Sequence, residues 1–274
     1  MKIPLAGVIG CPVGHSRSPL LHGTWLRNYG LRGQYVPLHV APEDLARVLQ
    51  AMPAMGFVGA NVTIPHKEAA LALADEVSPI ARRIGAANTL SFRDGQIHAD
   101  NTDAYGFIEN LRSAAPDWQP GAGPALVLGA GGAARAVLVA LAEAGAGEIW
   151  LSNRTRARAE ALAAALDHPV TVLDWERYAD HLPRAALVVN TTSLGMAGQA
   201  PLGLPAALLS PATVVTDIVY TPLETPLLRE AHARGCRVVD GLGMLLHQAV
   251  PGFERWFGLR PDVTPELRRA VLAG

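Results

Sequence analysis

Ala125-Leu126-Val127-Leu128-Gly129-Ala130-Gly131-Gly132-Ala133-Ala134 is the stretch that decides the fold. The four leading apolar residues read as a buried strand. Residues 129–134 then match G-x-G-x-x-A and run into an alanine- and leucine-rich helical pattern over 133–144. Glycines at these positions permit a tight turn and let a pyrophosphate approach the helix N-terminus, where unpaired amides and the helix dipole favour anions. A glycine-rich match alone is weak and could serve only to pack a helix on a strand. The strand before it, the helix after it and a further strand at Glu148–Ser152 make a dinucleotide site the stronger reading.

The end of that next strand selects the dinucleotide. An NAD site places an acid there, about 20 residues beyond the glycines, to bond the ribose 2′-hydroxyl. This chain has Asn153-Arg154-Thr155-Arg156-Ala157-Arg158 instead. Three guanidiniums and no acid suit a 2′-phosphate, so the expected cofactor is NADP. The bland alternative is a solvated basic helix start.

Outward from this unit, short β-rich runs alternate with helical patterns in two series, the signature of parallel α/β architecture. The later series has strands near 125–128, 148–152, 170–173, 186–190, 213–217 and 237–239, with helices near 133–144, 156–166 and 224–234. A Pro- and Gly-rich linker, 115–124, precedes it. The earlier series has strands near 3–9, 35–40, 58–62, 88–92 and 96–99, with helices near 19–29, 43–52, 67–74 and 102–113. A last helical stretch, 244–257, has no strand after it and is expected to return to the first domain. The expected organisation is an N-terminal α/β substrate domain over 1–103, a doubly wound parallel-sheet NADP domain over 104–240, and a C-terminal helical segment over 241–274.

Composition narrows the function. The chain has 274 residues, 50% of them hydrophobic, and a formal net charge of -1. It has no basic surplus to neutralise a phosphate backbone, so nucleic acid is not an expected partner. No stretch approaches the ~18 apolar residues of a membrane span. The start is broken by Pro4, Pro12 and glycines and does not read as a secretory signal. Cys11 and Cys236 lack C-x-x-C spacing, the nine histidines show no metal-ligand spacing, and a cytoplasmic protein without a metal is expected.

One residue stands out within that composition. Of the 23 basic residues, 21 are arginine; the two lysines are Lys2 and Lys67. Arginine replaces lysine wherever only charge is needed, but its guanidinium hardly titrates, whereas a buried ammonium can be tuned to exchange protons. Lys67 is therefore a candidate acid/base. It closes the segment Asn61-Val62-Thr63-Ile64-Pro65-His66-Lys67, and other polar segments cluster in the same half: His15-Ser16-Arg17-Ser18-Pro19, Gly85-Ala86-Ala87-Asn88-Thr89 and Asp100-Asn101-Thr102-Asp103.

Together with the glycine turn, Asn153-Arg154-Thr155, Asn190-Thr191-Thr192-Ser193-Leu194-Gly195-Met196, Asp217-Ile218-Val219-Tyr220 and 241–248, these segments resemble the shikimate dehydrogenase family over nearly the whole chain. The resemblance implies reversible NADP-dependent reduction of 3-dehydroshikimate to shikimate. It implies that Ser16, Ser18 and Tyr220 hold the substrate carboxylate, that Thr63, Asn88 and Gln248 bond the ring hydroxyls, and that Lys67 and Asp103 form the catalytic pair. Gly129, Ala130, Gly131, Gly132, Ala133, Asn153, Arg154, Thr155, Arg156, Ala157, Arg158, Ile218 and Gly241 would line the cofactor. Ala104 and Pro79 depart from the family's commonest residues without removing a side chain the chemistry needs. A quinate/shikimate or aminoshikimate dehydrogenase and a non-catalytic NADP or metabolite sensor stay open as alternatives, as does assembly into a homodimer. Bland roles also stay open: helix capping for Ser16, turn positions for Thr63 and Asn88, packing for Tyr220, a solvent-facing Gln248, and a surface ion pair for Lys67 and Asp103.

Overall fold

The computed structural model describes residues 3–274, so Lys2 lies outside the described residues. The chain forms two compact units: residues up to Thr102 together with Leu246–Gly274, and Asp103–Leu245.

The first unit runs β1 (Leu5–Gly10), α1 (Ser18–Asn28), β2 (Gln34–His39), α2 (Leu45–Ala51), β3 (Phe57–Val62), α3 (Lys67–Ala72), β4 (Glu76–Val77), α4 (Pro79–Ile84), β5 (Thr89–Arg93) and β6 (Gln96–Asp100). Its sheet has the order β2-β1-β3-β5-β6-β4. Strand β1 is parallel to β2 and β3, but β5 is antiparallel to both β3 and β6. The sheet is thus mixed, where alternation of strand and helix patterns points to a parallel one. The cause lies at Asp94-Gly95, with φ of 51° and 78°. Two residues in the left-handed region form a primed hairpin turn, which joins only antiparallel neighbours. Helix α4 is a further difference. Ser78 accepts from the Ala81 amide, Pro79 sits in the first turn and Gly85 (φ 70°) ends it.

The second unit runs α5 (Asp103–Ala114), β7 (Ala125–Leu128), α6 (Gly132–Ala144), β8 (Ile149–Ser152), α7 (Arg156–Ala164), β9 (Thr171–Leu173), β10 (Leu187–Asn190), β11 (Val214–Asp217), α8 (Pro226–Ala233) and β12 (Arg237–Val239). The sheet order is β12-β11-β10-β7-β8-β9, and every pairing is parallel. The chain winds outward from β7 in both directions, which places a topological switch point between β7 and β10. The glycine turn leaves β7 at that point.

Helix α9 (Leu242–Phe257) carries the chain back into the first unit, and α10 (Pro265–Ala273) completes it. Its anchor is Trp256, whose indole N–H donates to the Leu90 carbonyl at 3.0 Å. A Cβ on Gly59 would lie 2.0 Å from that indole nitrogen, so this contact needs glycine on β3. Trp25 of α1 likewise donates to the Asp262 carbonyl at 2.9 Å.

Between these aromatics lies His22, fully buried and stacked on Tyr35 at 3.9 Å between ring centroids. Neither ring nitrogen has a hydrogen-bond partner. Burial lowers its pKa from 6.5 to about 3. The folded protein therefore binds fewer protons here than the unfolded chain between those two values, so stability falls as pH drops through that window. We expect His22→Phe to match the wild type in stability at pH 7 and to lose less on acidification, by roughly 1 kcal/mol per pH unit below pH ~6. Denaturant titrations at several pH values measure this, and parallel acid limbs for the two proteins would refute it.

Candidate active site

The second unit builds a phosphate cradle from backbone. Gly129 has φ 110°, and a Cβ there would meet the Thr191 hydroxyl at 2.6 Å, so only glycine makes this turn. Gly131 and Gly132 are exposed, and a Cβ on either meets nothing within 4 Å. The space in front of the α6 N-terminus is therefore open where a pyrophosphate has to approach. Gly241 is also obligatory, because a Cβ would lie 2.2 Å from the Ile218 carbonyl oxygen. Ala130 and Ala133 are half-buried beside the turn.

The basic loop after β8 divides its labour. Asn153 ties it down by donating to the Thr155 carbonyl at 2.9 Å. Arg156 is held by two carboxylates, Glu160 at 2.8 Å and Asp174 at 2.5 Å. The exposed Arg154 and Arg158, the pair expected to meet a phosphate, are held by no such ion pair among the described residues. The residues present fit an NADP adenosine half: an open glycine turn followed by a basic loop and no acid in it.

Behind the glycine turn, Asp217 at the end of β11 is completely buried. Burial pushes its carboxyl up, against hydrogen bonds from Thr225, the Val219 amide and Asn190. Asn190 donates at 3.0 Å and Thr225 at 2.7 Å. This triad fixes the strand ends from which Ile218, half-buried, and Tyr220, also half-buried, emerge. Its members are visible in the sequence only as parts of motifs, and their role in the scaffold comes from the structure.

The first unit gathers its polar residues at the strand ends. Ser16 receives the Ser18 amide at 3.3 Å, so part of its function is to start α1, while Ser18 itself is buried. Thr63 follows β3 and is half-buried; its amide donates to the Ile9 carbonyl at 2.9 Å and its own carbonyl accepts from His66. Lys67, also half-buried, opens α3, and its carbonyl accepts from the Ala87 amide at 2.9 Å. That bond sets Lys67 next to the 86–89 turn. Asn88 is 3% exposed, and its amide Oδ1 accepts from the Thr102 amide at 2.8 Å and from the Thr89 hydroxyl at 2.9 Å. Asn88 Nδ2 donates to Gln248 Oε1 at 3.3 Å, which brings the C-terminal helix and the turn together. Gln248 is 8% exposed and does not face solvent. Asp103 is the first residue of α5 and belongs, with Tyr220, to the second unit.

At the rim of the first unit, Asp100 accepts from Ser78 at 2.5 Å, from the Asn101 amide at 2.8 Å and from Arg255 of α9. Burial alone would push this carboxyl up; the Ser78 bond and the Arg255 guanidinium outweigh it and hold it below the usual range.

A parallel sheet with an open glycine turn at its switch point, in one chain with a unit whose strand ends carry a lysine, amides and hydroxyls, defines a dinucleotide-dependent oxidoreductase of small polar substrates. Family models agree segment by segment: the shikimate dehydrogenase substrate binding domain matches residues 8–90, shikimate / quinate 5-dehydrogenase matches 121–196, and the shikimate 5′-dehydrogenase C-terminal domain matches 241–272. The chain is 65% identical over 271 residues to the shikimate dehydrogenase (NADP(+)) of Paracoccus denitrificans (strain Pd 1222), covering 98% of this chain and 96% of that one. Among solved structures, shikimate 5-dehydrogenase from Thermus thermophilus, in complex with NADP(H) and shikimate, is 42% identical with a TM-score of 0.87, over 100% of this chain and 99% of that one. Quinate dehydrogenase from Corynebacterium glutamicum, in complex with NAD, is 33% identical with a TM-score of 0.93, over 100% of both chains. The protein belongs to the shikimate dehydrogenase family.

The glycine turn gives a direct test. Gly129→Ala should destabilise the protein by roughly 1–3 kcal/mol, because it combines a disfavoured backbone conformation with a clash against Thr191. It should also weaken NADP binding, measured by calorimetry. Gly131→Ala, where space is open and φ is negative, should retain stability and lose only affinity. Equal melting temperatures for wild type and Gly129→Ala would show that the turn carries no such constraint.

Proposed function

We propose that the protein catalyses the reversible NADP-linked interconversion of 3-dehydroshikimate and shikimate in the cytoplasm, within aromatic amino-acid biosynthesis. The observation that carries this reading is the coexistence in one chain of the open glycine turn with Arg154 and Arg158 and of Ser16, Ser18, Thr63, Asn88 and Gln248 in the same unit as Lys67. Free thiols at Cys11 and Cys236 support the reducing location. Among the described residues no helix is long and apolar enough to cross a membrane.

In this reading Ser16, Ser18 and Tyr220 hold the substrate carboxylate through neutral hydroxyls, and Thr63, Asn88 and Gln248 orient the ring hydroxyls. Asn88 and Gln248 suit this because each already restrains the other, so little ordering remains for binding to impose. NADPH, when bound, supplies the hydride. As the ketone carbon accepts it, charge develops on the carbonyl oxygen, and the Lys67 ammonium donates a proton there. Asp103 accepts from the substrate hydroxyl and orients the ammonium. In the reverse direction Lys67 takes the proton back. Retention of both groups favours an enzyme over a sensor.

A quinate-oxidising reading is favoured by one observation, the likeness to an NAD-bound quinate dehydrogenase. The arginine loop weighs against NAD. Following reduced-nicotinamide absorbance with shikimate or quinate, each with NADP or NAD, separates these readings, and absence of turnover with shikimate and NADP would overturn the proposal. Replacing Arg154 and Arg158 by alanine together should remove the preference for NADP, each contact contributing about tenfold or more in affinity.

Lys67 gives the sharper test of mechanism. Lys67→Met should lower kcat by roughly 10²–10⁴-fold, the range for a positioned acid/base. Lys67→Arg keeps the charge but cannot titrate usefully and should fail nearly as badly. Near-normal kcat in the arginine variant would leave Lys67 an electrostatic role only.

A further inference from the structure

Tyr35 belongs to none of the motifs that carry the proposed chemistry, yet its hydroxyl lies at the head of a buried polar chain that ends on them. Its ring is 7% exposed, stacked on His22 and flanked by Trp256 at 6.1 Å between centroids. The phenol O–H donates to Asn61 Oδ1 at 2.7 Å. Burial pushes the phenol pKa well up. The hydroxyl is thus a neutral donor held against β3 through Asn61.

From Asn61 the chain continues inward. Asn61 Nδ2 donates to the Asn88 carbonyl at 3.1 Å and to the Thr89 hydroxyl at 3.2 Å. Thr89 donates in turn to Asn88 Oδ1, which also accepts from Thr102. Both amide hydrogens of Asn61 are therefore committed inside the protein, and its oxygen takes the Tyr35 proton. An asparagine so engaged has no donor left for a ligand, and what it controls is the orientation of Asn88. Because O and N of a carboxamide differ only in their partners, the Tyr35 donor fixes which way Asn61 faces. A flipped Asn61 would present its oxygen to the Asn88 carbonyl, two acceptors face to face.

We infer that Tyr35 is a positioning residue for the substrate pocket, its hydroxyl aligning the Asn88 carboxamide through Asn61 and Thr89. It touches no reacting atom. The aromatic cage of His22 and Trp256 holds the ring. This inference rests on the assignment of Asn88 to substrate binding.

Tyr35→Phe keeps the ring, the stacking and the packing and removes only the donor. In the full-length enzyme we expect KM for shikimate to rise roughly five- to twentyfold, the effect of one buried hydrogen bond lost with its partner left unpaired. KM for NADP should not change, and kcat should stay within about threefold. A merely structural role would instead lower the active fraction, moving kcat per total protein and leaving both KM values in place. Thr89→Val, which interrupts the same chain one bond further on, should give the same split, and the double variant should be less than additive because both cut a single chain. Ser18→Ala and Asn88→Ala serve as controls. If they raise KM for shikimate while Tyr35→Phe leaves it within about twofold, the positioning role is overturned and the site assignment stands; if they leave it unchanged, the site assignment itself has failed and the positioning role falls with it.

Discussion

The carboxamide of Asn88 is the point on which the first unit depends. Its backbone amide donates to the Asp100 carbonyl, its carbonyl accepts from Val62, and its side chain joins Thr89, Thr102 and Gln248. One residue thereby ties the ends of β3, β5 and β6 to the C-terminal helix. Each of these groups is buried, where an unpaired polar atom costs roughly 1–3 kcal/mol, so the network is stable only when complete. That condition is also what a substrate pocket requires. In the proposed function, groups already held by neighbours need no ordering when the substrate arrives, and binding energy is not consumed in arranging them.

The second unit solves the same problem with less side-chain chemistry. Its six strands are parallel, and the central four, β11, β10, β7 and β8, are buried throughout, so their orientation comes from apolar packing around Leu126, Val188 and Val215. Polar groups enter only at the strand ends. There Asp217, Asn190 and Thr225 form a closed set, and the glycines at 129 and 241 let backbone approach backbone where any side chain would collide. The cradle is thus mostly main chain. In the proposed function it reads a phosphate by amide direction and dipole, which leaves discrimination between dinucleotides to the loop after β8.

The legible parts of the sequence were those where one physical signal dominates. Apolar runs such as Ala125–Leu128 and Leu187–Asn190 gave strands at almost their observed bounds, since strands buried on both faces carry no polar interruptions. The antiparallel run of β5 was not legible from alternation of elements, because its direction is set by two residues, Asp94 and Gly95, whose turn outweighs the surrounding pattern. Helices α4 and α10 are absent from the expected elements although each begins with a hydroxyl cap and a proline. Of the residues the proposed function uses, Ser18, Asn88 and Gln248 stand in motifs visible in the sequence. Tyr35 does not, because its importance comes from Asn61, 26 residues away, and no local spacing records that contact.

The three arginines after β8 show the same limit at its smallest scale. They alternate with Thr155 and Ala157; Arg154 and Arg158 are the expected phosphate partners, and the fold sets Arg156 apart from them through Asp174, 18 residues away and just beyond β9. Exposed pairs of this kind add little to stability, so the consequence of the Arg156 fork is geometric. By fastening the start of α7 to the neighbouring strand's end, it holds the loop from which Arg154 and Arg158 project. Two mobile arginines would have to lose that freedom on meeting a phosphate, whereas a loop fixed beforehand retains more of each charge-assisted contact as affinity. The Arg156 fork thereby also bears on the two arginines that the proposed function places at the phosphate.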